Sequence, residues 1–169
     1  MLVSILGAVL AVAGPQFLRK LRTSKVAEAS EELELLHRGA AMYYATWHAQ
    51  AAHGTKDHCL PSAAGPTPAQ PSVDPVEVTF TDDATPGAPT WQALRFEPES
   101  GVRYSYSFLP IQSGCGVTTR QDGAPLVTIR AEGDLDGDGT RSRFERYASP
   151  NAEGEIVQVE ALVVSDRIE

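Results

Sequence analysis

An uncharged N-terminal run that passes straight into an amphipathic segment constrains the fold more than any other feature of the chain. Residues 2–18 contain no charged side chain, and Gly14-Pro15 interrupts the run near its end. Four basic residues follow, at Arg19, Lys20, Arg22 and Lys25. The run is suited to lipid or an apolar partner, whereas the amphipathic segment beyond it is suited to a protein core. This order favours an anchored or polymerising subunit over a free enzyme.

The apolar run admits three interpretations. Its 17 residues are at the short edge of a membrane span, which needs about 20. A cleaved signal peptide would explain Ala11-Val-Ala13 ahead of Gly14, but no basic residue precedes the run. An ordinary N-terminal anchor would hold the rest of the chain in the cytoplasm through the basic cluster, which conflicts with a pair of cysteines. The third interpretation rests on the order of motifs over the first 50 residues.

Residues 26–53 are predicted to form the amphipathic half of one long helix. Apolar and small side chains recur there at intervals of three and four, at Val26, Ala29, Leu33, Leu36, Ala40, Tyr43 and Trp47. These intervals place them on one face, which we expect to lie in the core. Gly54 is a candidate C-terminal cap, and Gly39 would allow a strand to approach the helix closely.

The charge balance and the cysteine count set further limits. The net charge is −8, from 14 Lys and Arg against 22 Asp and Glu, and nucleic-acid binding would need a clustered basic face instead. Cys59 and Cys115 are the two cysteines. We expect them to form one disulfide, worth on the order of 3–4 kcal/mol by the chain-entropy estimate. Two reduced, buried thiols are the alternative.

The motifs of the first 50 residues share their order with a known family. The apolar run reaches Pro15 and continues as Phe17-Leu-Arg-Lys, then Ser24-Lys-Val-Ala-Glu-Ala, and ends in a leucine-spaced half with Gly39-Ala-Ala and Tyr43-Tyr44. It resembles the N-terminal helix of type IV pilins and of the pseudopilins of type II secretion. More loosely, Trp91-x-x-Leu94-x-Phe96 followed by Val102-x-Tyr104-x-Tyr106 looks like the minor-pilin-like proteins.

The resemblance implies an α+β fold, with one long N-terminal α-helix packed on an antiparallel sheet of about four strands. It divides the chain into an apolar half-helix, residues 1–25, and a globular domain, residues 26–169. Within that domain, residues 54–89 are expected to be loops and residues 90–169 to form the sheet. The family's leader, its glycine cleavage site, the phenylalanine after it and the nearby glutamate are absent, so we expect the true start to lie upstream of Met1. The alternative is a truly truncated or divergent protein.

The function implied by the resemblance is structural. The subunit would assemble with other pilin subunits through its apolar helix, and the positions expected to mediate this are Leu2, Ile5, Leu6, Val9, Leu10, Pro15 and Phe17. It would wait in the inner membrane with a periplasmic domain, or stand in an extracellular filament. The alternative is a secreted or membrane-anchored calcium-binding module with no filament role; a small exported enzyme is a weaker third possibility.

The remaining elements are read from local patterns. Residues 61–75 are rich in Pro, Ala, Gly and Ser, and they and residues 81–89 are expected to be exposed loops. Trp91, Leu94 and Phe96 would pin a short helical turn to the core. Residues 102–108 alternate as a half-buried strand with Val, Tyr, Tyr and Phe inward, and the last strands are predicted at residues 126–131, 143–148 and 155–164.

An aspartate-glycine stretch between two predicted strands is the candidate metal site. It fits the EF-hand positions one, three, five, seven, nine and twelve through Asp134, Asp136, Asp138, Thr140, Ser142 and Glu145, with Gly139 at six. Because strands rather than helices are predicted on both sides, we expect a Ca²⁺-binding β-turn loop, with Glu145 the least certain ligand. The alternative is an acidic hairpin whose charge is simply solvated.

Catalytic motifs are not evident in the sequence. It contains no nucleophile elbow, phosphate loop or zinc spacing. His48, His53 and His58 recur every five residues, which on a helix puts successive side chains on different faces. The sequence therefore predicts a protein that is not an enzyme.

Overall fold

The computed structural model describes residues 26–49, 56–117, 124–151 and 153–165. Residues 1–25, where an apolar half-helix is predicted, lie outside these ranges with all the predicted assembly positions, as do His53 and Gly54. None of the helices within the described ranges combines the length and the apolar character that crossing a membrane requires.

The first helix, α1, covers residues 26–45. Its sequence is rich in Ala, Leu and Glu, which are strong helix formers. The predicted stripe is largely confirmed, since Ala29, Leu33, Leu36 and Ala40 are fully buried. The last turn differs, because Tyr44 rather than Tyr43 joins the core and Trp47 is 59% exposed beyond the helix end. The prediction of helix to residue 53 is therefore wrong.

Side chains that follow the helix satisfy its final carbonyl groups and explain why it stops at residue 45. The Thr46 hydroxyl donates to the carbonyl of Met42 over 2.9 Å. His48 Nε2 donates to the carbonyl of Tyr43, and His58 Nδ1 donates to that of Tyr44. The last carbonyls of a helix lack partners within the helix, so these contacts replace the glycine cap expected at Gly54.

A six-stranded antiparallel sheet forms the body of the described chain. In chain order the strands are β1 His48–Ala49, β2 Lys56–Asp57, β3 Cys59–Leu60, β4 Ala64–Thr67, β5 Ser105–Pro110, β6 Gly114–Cys115, β7 Val127–Gly133, β8 Ser142–Pro150, β9 Ile156–Gln158 and β10 Val163–Ser165. The large sheet has the order β10-β8-β7-β5-β4, and β9 also pairs with β8. Two small ladders, β1 with β2 and β3 with β6, lie apart from it.

The expected fold, one long helix on about four strands, is wrong for this chain. The described residues form a sheet of six strands and two helices, so β-structure dominates. One added strand, β4, lies in the stretch that its prolines and glycines marked as a loop. It pairs with β5 through an irregular register. Proline cannot donate a hydrogen bond to a neighbouring strand, so in sheets it occurs at edge strands and bulges such as this one. The predicted last strand is divided into β9 and β10, and Val157 and Val163 are exposed.

Strand β5 lies inside the sheet and is buried on both faces. Tyr106 and Phe108 are fully buried, as the alternating pattern predicted. Ser105 and Ser107 on the opposite face are also buried, at 1% and 6% exposure. The prediction of a half-buried strand is therefore wrong, because it assumed that one face of the sheet meets solvent.

The predicted helical turn is confirmed as helix α2, Ala88–Leu94. Trp91 is fully buried and lies edge-on to Phe80, with the ring centroids 5.5 Å apart. Such edge contacts are favourable beyond the area they bury. The C-terminal end of α2 also contacts α1, because a Cβ atom at Gly39 would overlap the carbonyl oxygen of Leu94. Gly39 therefore admits a helix end and not the strand that the sequence predicted.

Replacing Gly39 with alanine tests this contact between helices. On an open helix face the substitution would stabilise the protein, since alanine has the higher helix propensity. Here the overlap should dominate and lower the free energy of unfolding by about 1–3 kcal/mol. Urea denaturation measures the change, with Arg38→Ala on the exposed face as a control expected to stay within about 0.5 kcal/mol. Increased stability in Gly39→Ala would contradict the close approach.

Candidate functional site

The candidate metal site is the loop of residues 134–141, which joins β7 to β8. The two strands pair along their whole length, from Val127 opposite Ala148 to Gly133 opposite Ser142. The loop is therefore held at the end of a long antiparallel ladder, and strands flank it on both sides as the sequence predicted. This geometry differs from an EF-hand, in which two helices enter and leave the loop.

Hydrogen bonds from the backbone fix the aspartate side chains. Asp134 accepts from the N–H groups of Gly137 and Gly139, over 2.8 and 3.1 Å. Asp138 accepts from the N–H of Thr140 over 2.7 Å. Gly137 and Gly139 have φ of 78° and 91°, a region that other residues rarely adopt. The alternation of aspartate and glycine thus turns the chain sharply and directs several carboxylates inward.

Three carboxylates converge as a result. One oxygen from each of Asp134, Asp136 and Asp138 lies within 4.8 Å of the other two. None of the ion pairs among the described residues involves these aspartates. Ca²⁺ takes six to eight oxygen ligands, so the cluster offers part of a shell that backbone carbonyls and water would complete. Exposed acidic groups also cluster without an ion, so convergence alone identifies no metal.

Glu145 does not join the aspartates. It lies on β8, where its carboxylate accepts a hydrogen bond of 2.7 Å from Arg130 Nε on β7. The other oxygen accepts a bond of 2.7 Å from the hydroxyl of Tyr147. Partial burial would raise the pKa of Glu145, but the bonds from Tyr147 and Arg130 outweigh it and hold the pKa below its usual value. The position-twelve residue of the pattern therefore stabilises the hairpin.

The other two predicted ligands also have structural roles. Ser142 is fully buried and donates its hydroxyl to the carbonyl of Gly133. Thr140 uses its backbone N–H within the loop, as described above. Leu135 is 9% exposed and reaches into the core cluster, so it anchors the loop from its apolar side. Of the six predicted residues, three aspartates converge on an anchored turn, Ser142 and Glu145 are engaged elsewhere, and the carbonyl ligand expected from Thr140 stays a prediction.

The predicted disulfide is confirmed between Cys59 and Cys115. These residues face each other across the ladder of β3 and β6, with their Cα atoms 3.9 Å apart. The bond ties the segment that follows α1 to the segment that follows β5. Next to it, the ring of His58 stacks on Tyr44 with centroids 5.0 Å apart, and the hydroxyl of Tyr44 donates to the carbonyl of Val117.

A polar interface between α1 and the sheet was missed by sequence reasoning. The Glu28 carboxylate accepts two bonds from Arg103, over 2.6 Å from the backbone N–H and 3.0 Å from Nη1. Glu34 forms an ion pair of 2.7 Å with Arg146 of β8. Burial lowers the pKa of His37, and the nearby Arg146 lowers it further. The sequence did contain a signal for this interface, because Glu28 directly precedes the stripe residue Ala29 and Glu34 directly follows Leu33.

Comparison with known proteins assigns no relative. No protein-family model matches the chain, and neither a curated protein nor a solved structure matches it.

Reduction of the disulfide tests its contribution to stability. The bond closes a span of 56 residues, so its loss should lower the free energy of unfolding by about 3–4 kcal/mol through the entropy of the unfolded chain. We expect a Cys59→Ala/Cys115→Ala variant to lose a similar amount in urea denaturation, and to be insensitive to reductant. Equal stability of the oxidised and reduced wild type would contradict the prediction.

Proposed function

We propose that the chain is a non-catalytic subunit that assembles with other copies through residues 2–18, in the manner of type IV pilins or pseudopilins. The observation that carries the proposal is the separation of charge along the chain. Residues 1–25 hold four of the 14 Lys and Arg residues and none of the 22 Asp and Glu residues, so residues 26–169 have a net charge of −12.

This separation assigns different tasks to the two parts. Domains that each carry a net charge of −12 repel one another, so contacts between copies gain little from the acidic surface. The uncharged run has no such penalty and can pack against lipid or the same run of another copy. The basic cluster at residues 19–25 lies between them, where lipid headgroups or acidic groups would balance it.

Helix α1 provides a firm connection for such an arrangement. Its apolar stripe is buried within its own domain, so that face of residues 26–45 is not available to a partner. The ion pair of Glu28 with Arg103 holds it to the segment that leads into β5, and the ion pair of Glu34 with Arg146 holds it to β8. Under this proposal the subunit would be held in the inner membrane before assembly, with its domain in the periplasm or displayed on a filament.

A charge placed in the apolar run tests the assembly role. In the full chain, Val9→Lys should abolish membrane retention and reduce crosslinked multimers at least tenfold, because a lysine at the centre of an apolar helix costs about 2.5–3.5 kcal/mol. Val9→Leu is the matched control and should behave as wild type. Carbonate extraction followed by chemical crosslinking measures both properties. Multimers that persist in Val9→Lys would show that assembly does not depend on the run.

A second candidate function is Ca²⁺ binding at residues 134–138, favoured by the convergence of three carboxylates on one turn. Three charges within 4.8 Å repel one another, and a bound cation relieves that repulsion. Binding is favourable when this gain in free energy exceeds the cost of removing part of the cation's water shell. The two candidates are compatible, since the loop lies in the acidic domain and the assembly run precedes it. If the assembly test fails, this candidate becomes a calcium-binding module without a filament role.

Calorimetric titration with Ca²⁺ tests the loop. Asp136→Asn removes one charge but keeps an oxygen that can accept the N–H bond of Asp138, so the turn should persist while affinity falls at least tenfold. Glu153→Gln, an exposed acid beyond the opposite end of β8, is the control and should leave affinity unchanged. Glu145→Gln should also bind within about threefold of wild type, because its carboxylate is engaged by Arg130 and Tyr147. No heat at millimolar Ca²⁺ would leave only the solvated hairpin.

A further inference from the structure

On helix α1, a half-buried glutamate has one carboxylate oxygen enclosed without a hydrogen-bond partner. Glu32 lies beside the stripe residue Leu33, and its Oε2 atom is closed off from solvent and accepts no hydrogen bond. The hydroxyls of Tyr104 and Tyr106, on the strand side of the same region, are also buried, and Tyr106 lies within reach of Glu28. An ionised carboxylate is disfavoured in such a place, whereas its protonated form can donate a hydrogen bond.

The charges around Glu32 make its ionised form still less favourable. Glu28 and Glu31 face it from its own helix, and Glu99 faces it from the segment between α2 and β5. Arg103 binds Glu28 instead, through its backbone N–H to one oxygen and through Nη1 to the other, while its Nε is buried without a partner. Burial, and then the repulsion from these three carboxylates, raises the pKa of Glu32 to about 7.

The other titratable groups at this interface keep one state near neutral pH. Burial raises the pKa of Tyr106 well above its usual value, and Glu28 and Glu32 raise it further, so the phenol stays neutral. Tyr104 behaves in the same way, because burial and Glu28 raise its pKa. The pKa of His37, further along α1, is lowered, so it stays neutral as well. Among the described residues of this interface with a shifted pKa, Glu32 is therefore the group whose charge changes there.

We propose that Glu32 acts as a protonation switch that controls how firmly the first half of α1 docks on the sheet. Protonated, the side chain is neutral and can donate to a neighbouring oxygen, so Ala29 and Leu33 stay in the core. Ionised, it introduces an unpaired charge among three others and loosens these turns. This protonation switch does not depend on the proposed assembly role. The helical turns that it would loosen directly follow the basic cluster.

The direction of the effect follows from linkage. The carboxyl has a higher pKa in the folded than in the unfolded protein, so folding binds a proton, and stability falls as pH rises from about 4.5 toward 7 and levels off above it. Between pH 6 and pH 8 this group alone should raise the unfolding constant about tenfold. His37 has the opposite effect below pH 6.5, because a lowered pKa favours folding as pH rises.

The test compares wild-type full-length protein with Glu32→Gln, which keeps the shape and removes the titration. The ratio of their unfolding constants, from urea denaturation, should change about tenfold between pH 6 and pH 8; this comparison cancels the contribution of His37. Hydrogen exchange of the amides of residues 29–38, corrected for intrinsic rates, should lose protection over the same range in wild type only. Glu153→Gln, an exposed acid on a distant turn, should titrate like wild type.

Two results would overturn the proposal. One is an equal pH dependence in wild type and Glu32→Gln. The other needs no variant and therefore stands even if Glu32→Gln fails to fold: a carbon-13 titration of the Glu32 carboxyl in wild type with a midpoint near 4.5. A midpoint at 6 or above, together with the loss of amide protection, supports the switch.

Discussion

The burial of the α1 stripe against the sheet is the interaction on which the rest of the described structure depends. Leu33 and Leu36 are fully enclosed, and each contributes about 1.5–3 kcal/mol by leaving water. The same docking brings Gly39 against the end of α2 and brings Tyr44 to the carbonyl of Val117, next to the disulfide. Without the stripe, α2 and the β3–β6 ladder would lose the surface that positions them.

That docking also places polar groups in the interface, and only some of them have hydrogen-bond or ion-pair partners there. Glu28 obtains two bonds from Arg103, and Glu34 obtains an ion pair with Arg146. Glu32, one turn after Glu28 and two residues before Glu34, obtains none at its buried oxygen. Since an unpaired charge is far more costly than an unpaired neutral group, Glu32 stays protonated up to its raised pKa of about 7. The apolar stripe and the protonation switch are thus two consequences of one helix face.

Local pattern predicted those parts of the structure that depend on local physics. The stripe from Ala29 to Ala40, the turn around Trp91 and the Cys59–Cys115 bond needed only periodicity, a buried aromatic and a count of cysteines. The rest depended on distant partners. Strand β4 exists because β5 offers it an edge, although its own sequence indicates a loop. Helix α1 ends at residue 45 because His58, thirteen residues further on, binds one of its last carbonyls. Ser105 and Ser107 are buried because strands and helices remote in sequence cover both faces of β5.

The aspartate loop shows the same limit at the scale of a site. The spacing of Asp134, Asp136 and Asp138 predicted their convergence. Aspartates at every second position, with glycines at the bend, are enough to turn the carboxylates toward one another. The spacing could not predict the fate of Glu145, because position twelve reaches the ion only when a helix returns the chain to it. Here the chain leaves as a strand, and the ladder sets Glu145 opposite Arg130 instead. A twelve-residue pattern embedded in a hairpin therefore keeps its first half as a candidate site and uses its last residue to stabilise the sheet.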